Sequence, residues 1–216
     1  MKYYWDIVQG SEEWHDLKIG KFSGTSCNDL LMDKKNKGYQ NLIYRIFEEQ
    51  FTSEPCELEK PFNGNAYTER GLKYESLAIQ NCEKENLIEI KSVGFVELDN
   101  WVGCSPDGLI NDIGLVQIKC PIFKTQLNYL EIDQYSMSNE DKLRKINKVY
   151  YNQMQFELMV TDREYNIFYS YHPKLKPVEL IIERDERLIE QIKIEIEIAK
   201  ETITKQIEEL RKLNES

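Results

Sequence analysis

The sequence predicts an α/β (α+β) architecture, a small mixed central sheet flanked by helices, and three observations carry that expectation. Apolar residues recur at helical spacing through residues 39–51, 66–86 and the last thirty positions, whereas alternation with period two marks 93–120 and 165–183. No internal repeat, low-complexity tract or Pro/Gly/Ser linker divides the chain. With 216 residues there is material for one full core, so a single domain over 1–216 is expected.

The elements follow in order. Ser11 before Glu12 and Glu13 is a helix start, because a hydroxyl and early carboxylates satisfy the free amides and the dipole; that helix carries Trp14, Leu17 and Lys18. Tyr39, Leu42, Ile43, Ile46, Phe47 and Gln50 mark an amphipathic helix over 39–51, and Pro55, Pro61 and Gly64 make 52–64 a loop. From Ala66 to about Asn86 the pattern is helical again. There Glu75 is flanked by Gly71, Leu72, Ala78 and Ile79, so its carboxylate is expected on the core side, either as a buried ion pair or with a functional role. Segments 93–98, 101–104 and 114–120 read as strands, with Asn111–Gly114 as a hairpin turn. Residues 146–160 return to helix, 165–171 and 178–183 to strand. Ile192, Ile196, Ala199, Ile203, Ile207 and Leu210 define a long final helix over about 185–213, although KIEIEI within it also alternates like a strand.

Composition excludes several kinds of chemistry. No apolar run reaches the roughly 20 residues of a membrane span. The opening MKYYWDIVQG lacks a secretory apolar core, so no membrane association and a cytoplasmic location are expected. Five cysteines at 27, 56, 82, 104 and 120, without CxxC spacing, argue against a disulfide framework and a structural zinc site. Two distant histidines, His15 and His172, leave little for a nucleophile–histidine system, so catalysis must rest on carboxylates, lysines and amides. A net charge of −10 has the wrong sign for bulk attraction to nucleic acid. One local exception is DKLRKINK, where Lys142, Arg144, Lys145 and Lys148 form either a phosphate-contacting patch or a solvated surface turn.

The stretch GCSPDGLINDIGLVQIKC (103–120) holds polar residues that folding does not require. In LVQIKC, Val116 and Ile118 point to one face while Gln117 and Lys119 share the other. Pro106 interrupts the partner strand and lets Asp107 leave the ladder opposite them. An aspartate, an acceptor amide and a lysine, backed by the helical Glu75, suit a divalent metal site for phosphodiester hydrolysis, since magnesium takes oxygen ligands and keeps several waters. The spacing alone is equally that of an ordinary hairpin with one polar face.

CSPDGL…G…IKCP (104–109, 114, 118–121) resembles the core motif of the phage lambda-type exonuclease family, viral recombinases within the restriction-endonuclease-like nucleases of PD-(D/E)xK signature. EWHDLKIGKFSGTS (13–26), RGLKYE (70–75), YYNQMQFELMVTD (150–162) and LIIERDE (180–186) resemble that family's other blocks in the same order. The resemblance implies a restriction-endonuclease-like core and a magnesium-dependent exonuclease (manganese as a substitute) that degrades linear double-stranded DNA from 5′-phosphorylated ends, 5′ to 3′, for phage-type recombination. It implies Asp107, Glu75, Gln117 and the Ile118 backbone carbonyl around the metal, Lys119 as the catalytic lysine and Gln153 at the scissile phosphate or attacking water. It further implies Lys18 and Thr25 on the terminal 5′-phosphate, a single-strand annealing protein as partner, a ring-shaped homo-oligomer such as a trimer, and residence in a bacterial or phage-infected cell. Three positions depart from the family pattern: Gln117 stands where Glu or Asp is expected, Lys18 replaces an arginine and Thr25 a serine. Losing a negative charge at 117 weakens metal affinity, which keeps open an alternative, a catalytically impaired homologue that binds DNA ends or a protein without cutting.

Overall fold

The computed structural model describes residues 1–58 and 66–215; of the loop expected over 52–64, residues 59–64, with Pro61 and Gly64, lie outside them. Strand β1 (Lys2–Tyr4) leads to α1 (Glu12–Lys18), where the Ser11 side chain accepts from the Trp14 amide at 3.2 Å, as its sequence position predicts. A 3-10 turn (Gly24–Ser26) runs into the short α2 (Cys27–Leu30), followed by α3 (Lys37–Thr52) and α4 (Ala66–Asn86). Strands β2 (Ile90–Lys91), β3 (Phe95–Asp99), β4 (Val102–Cys104), β5 (Gly108–Ile110) and β6 (Gly114–Lys119) come next. Helices α5 (Phe123–Asp133) and α6 (Asn139–Thr161), strands β7 (Tyr165–His172) and β8 (Leu175–Glu183), and the long α7 (Glu186–Asn214) complete the chain.

The strands form two sheets rather than one. One is antiparallel, in the order β1-β3-β4; the other has the order β2-β5-β6-β7-β8, with a parallel β6–β7 pair and antiparallel pairs elsewhere, hence a mixed sheet. The chain passes from the first sheet to the second at Ser105–Pro106–Asp107, where proline withholds an N–H from any ladder. The parallel pair needs a crossover, supplied by α5 and α6.

Side-chain alternation along β6 sorts the core. Val116 and Ile118 pack with Ala78 and Cys82 of α4 and Ile167 and Tyr169 of β7, whereas Leu115 joins the opposite cluster with Phe156, Leu158 and Val160 of α6. The apolar face of α7, Ile189 through Ile207, enters that second cluster beside Leu42, Ile43 and Ile46 of α3, so KIEIEI is helical.

Strands β1, β2 and β5 and the short α2 have no counterpart in the sequence reading, and two helices depart from it. Helix α5 escapes it because its buried positions include a polar residue: Gln126 donates to the Ser170 and Lys176 carbonyls at 3.2 and 2.9 Å and accepts from the Ser170 hydroxyl at 2.6 Å. Helix α6 begins seven residues earlier than expected, capped by Ser138, and is broken at Asn147 (φ −166°, ψ 110°), whose side chain caps Val149; the expected start near 146 marks this second segment. All five cysteines are free thiols, four of them buried. Among the described residues no helix is long and apolar enough to cross a membrane.

Candidate active site

The site begins at the seam between the sheets. Asp107, half-buried, leaves the ladder just before β5, and its Oδ2 accepts from the Ile118 backbone N–H at 2.7 Å and from the Gln117 side-chain amide. Its Oδ1 accepts no hydrogen bond among the described residues. Trp14 Nε1 donates to the Ser105 hydroxyl at 2.8 Å, tying α1 to the segment that carries the aspartate.

Glu75 reaches the same place from α4. Arg70, one turn earlier, donates from Nε to the Cys120 and Pro121 carbonyls at 3.1 and 2.9 Å and so fastens this helix to the end of β6. The expected core face is narrower than the sequence suggests: Ala78 is buried, but Leu72 is 72% exposed, leaving Glu75 half-buried at the edge. Lys119 lies with its Nζ 5.0 Å from the centroid of the Tyr150 ring.

The electrostatics show that these groups face one another. Burial pushes the Glu75 carboxyl above its usual range, the Asp107 charge pushes it further, and Lys119 pulls it back. Burial likewise raises Asp107, against the pull of Lys119 and its two hydrogen bonds. Two carboxylates that disfavour each other's ionisation, one with an uncommitted oxygen, form a place where a cation is favourable.

From the other side comes α6. Gln153 Nε2 donates to Gln117 Oε1 at 2.9 Å and to Glu157 Oε1, one turn further on, also at 2.9 Å. Gln117 is 1% exposed, and its amide is turned with the nitrogen on Asp107 and the oxygen on Gln153. For the oxygen to reach an ion beside Asp107, the amide must rotate by half a turn.

Glu157 escaped the sequence reading because a lone carboxylate in QFELMV looks like the solvent side of a helix. It is 1% exposed, accepts from Asn166 Nδ2 at 3.2 Å as well as from Gln153, and is pushed up to about 8, first by burial and then by Asp107. Its i, i+4 relation to Gln153 is the signal that could have revealed it.

Lys18 and Thr25 line one pocket of about 650 Å³ together with His15, Lys21, Ser23 and Arg45. The 3-10 turn holding Thr25 lies directly on the site: a Cβ added at Gly24 would stand 3.0 Å from Gln153 Cγ and 3.2 Å from Glu157 Oε1. Within the pocket Lys21 pairs with Glu97 at 3.3 Å and Arg45 with Glu49 at 2.9 Å.

The basic stretch at 142–148 lies within α6, across its break at Asn147, rather than in a surface turn. Lys142 pairs with Asp133 at 3.0 Å, Arg144 with Asp185 at 3.1 Å and Asp141 at 3.4 Å, and Lys145 lies over the Tyr135 ring, so local carboxylates offset much of its charge. Lys148 is exposed.

Among the described residues no group of three or more His, Cys, Asp or Glu side chains is arranged to hold a metal by itself. The donors present, the carboxylates of Glu75 and Asp107 with an amide nearby, fit a hard divalent ion that keeps most of its waters.

Comparison with known proteins identifies the fold and the family. An alkaline exonuclease from Laribacter hongkongensis (LHK-Exo) superposes with a TM-score of 0.78 at 26% identity, covering 94% of this chain and 98% of that one. Its complex with dAMP superposes equally well. A phage-related exonuclease from Haemophilus somnus 129PT matches in fold, with a TM-score of 0.65 at 16% identity over 88% of this chain and 96% of that one. No curated relative matches the chain significantly. The close match to the alkaline exonuclease bears out the expected restriction-endonuclease-like core, a mixed sheet flanked by helices. Residues 13–164 match the YqaJ-like viral recombinase domain; the span runs from α1 through Glu75, Asp107, Lys119 and Gln153 and takes in more than half of the sequence, so the chain belongs to that family.

Proposed function

We propose that the protein is a metal-dependent DNA exonuclease of phage-type recombination, one nuclease domain over 1–216 acting on linear double-stranded DNA from 5′-phosphorylated ends in the 5′ to 3′ direction. The observation that carries this reading is the meeting of Glu75, Asp107 and Lys119, each bearing on the protonation of its neighbours, beside a pocket lined by Lys18 and Thr25. Family membership and the likeness to an alkaline exonuclease supply the substrate class.

Glu75 and Asp107, with the Ile118 carbonyl, would hold a magnesium or manganese ion, and Gln117 stays beside them with its amide nitrogen on Asp107. Such an ion supplies an acidified water and positive charge for the phosphorane oxygens. Lys119 adds a positive charge held over Tyr150 and orients the attacking water. Gln153 gives both amide protons to Gln117 and Glu157, which leaves its carbonyl oxygen to accept from that water. Lys18 and Thr25 receive the terminal phosphate. Lys145 and Lys148 remain to touch the duplex, with Lys142 and Arg144 first having to exchange their carboxylate partners for DNA. The reading extends to a ring-shaped trimer, a single-strand annealing partner, and work in the cytoplasm of a bacterial or phage-infected cell.

Digestion of a 5′-phosphorylated linear duplex tests it. Nucleotides are expected to be released with magnesium present, and far faster than by Lys119→Ala; release no faster than that variant favours the second reading, a binding module that does not cut. The orientation of Gln117, its nitrogen on Asp107, is the observation on that side.

A further inference from the structure

The hairpin lacks a carboxylate at Gln117, while helix α6 carries one that folding does not need. Glu157 has no ion-pair partner among the described residues; its hydrogen bonds come from two amides, Gln153 and Asn166. A carboxylate buried to 1% exposure with only neutral donors is destabilising compared with a glutamine or an apolar side chain of like size. Its neighbours do not repay that cost either: the thiols of Cys27 and Cys104 are pushed up first by burial and then by its charge.

Its position relates it to the site instead. A single line of side chains runs from Glu157 Oε1 to Gln153 Nε2 at 2.9 Å, from the same nitrogen to Gln117 Oε1 at 2.9 Å, and from Gln117 Nε2 to Asp107 Oδ2. Both termini of this line are carboxylates and both interior members are amides, so each terminus feels the other's charge. The turn at Gly24 lies against Gln153 and Glu157, and Gln117 and Glu157 are each 1% exposed, which strengthens that influence.

Resting on the nuclease reading, we propose that Glu157 is a positioning residue that, ionised once the cation is bound, supplies from α6 the negative charge missing at Gln117, fixing the amide line and strengthening the hold of Asp107 and Glu75 on the divalent cation. Glu157 acts through Gln153 and Gln117 and does not itself touch the ion. Removing an outer partner of this kind typically weakens metal affinity by about 10- to 100-fold.

Calorimetric titration of manganese into the full chain, without DNA, tests the proposal in four proteins: unaltered, Asp107→Ala, Glu157→Gln, and Glu157→Gln combined with Gln117→Glu. The expected result is loss of binding in Asp107→Ala, a dissociation constant raised at least about tenfold in Glu157→Gln, and recovery to within about threefold when the charge is returned to the hairpin. Recovery separates a charge effect from a structural one, and a melting temperature of Glu157→Gln at or above that of the unaltered protein shows that it folds. If Glu157→Gln binds manganese as the unaltered protein does, or the double variant fails to recover, the proposal is overturned while the nuclease reading stands on Asp107. If the unaltered chain takes up no manganese, both fall.

Discussion

Gln117 and Glu157 show at the scale of single residues how a charge can change place while its neighbourhood stays. In metal-free protein the buried Glu157 carboxyl holds its proton up to about pH 8, whereas the unfolded chain releases it near 4.5. Proton uptake therefore favours the folded state below that lower value, and the gain is lost as pH rises through the interval, at about 1.4 kcal/mol per pH unit. Glu157→Gln removes the dependence, so its stability relative to the unaltered protein should grow from pH 5 to pH 8 in metal-free melts. Gln117→Glu should tighten magnesium binding by restoring a charge beside Asp107, and an unchanged magnesium dependence of the digestion rate would remove Gln117 from the ion's surroundings. Asp107 and Lys119 were legible in the sequence because a proline break and period-two alternation fix which way they point. Glu157 was not, since a helical periodicity says only that a residue is off the apolar stripe, and here both faces of α6 are covered.

At the scale of elements, the hairpin β5–β6 depends on a residue from outside it. Arg163, 7% exposed at the start of the approach to β7, donates from Nη1 to the carbonyls of Ile110, Asn111 and Gly114 at 3.2, 2.8 and 2.7 Å. Asn111 holds φ at 47°, a left-handed position that asparagine tolerates, and its carbonyl is thereby turned to the guanidinium. Arg163→Met leaves these oxygens without a charged donor and should cost about 3 kcal/mol in a denaturant titration. Duplex digestion should fall with it, because β6 carries both Gln117 and Lys119. Strong helices such as α3, α4 and α7 were readable from their apolar stripes. Helix α5 was not, for Gln126 finds its partners on β7 and β8, contacts that no local pattern announces. The division of the strands into two sheets was equally hidden, because alternation fixes faces and not neighbours.

On the scale of the whole molecule, the net charge of −10 sets the problem that any DNA-processing reading must meet. The proposed closed ring would answer it by gathering basic groups around one channel and leaving the acidic surface outside. Light scattering should then give about three times the 25.7 kDa of the single chain, and a mass equal to the single chain would remove the ring from the proposal. The order of motifs along the chain was legible because it is a property of sequence, whereas assembly depends on surfaces that only folding creates. Asp107 hangs from a short peptide that stitches two sheets together, with Trp14 pinned alongside. The carboxylate is therefore held like a rivet through two plates: it has no correct position until both are seated, so a half-folded chain carries no half-built nuclease.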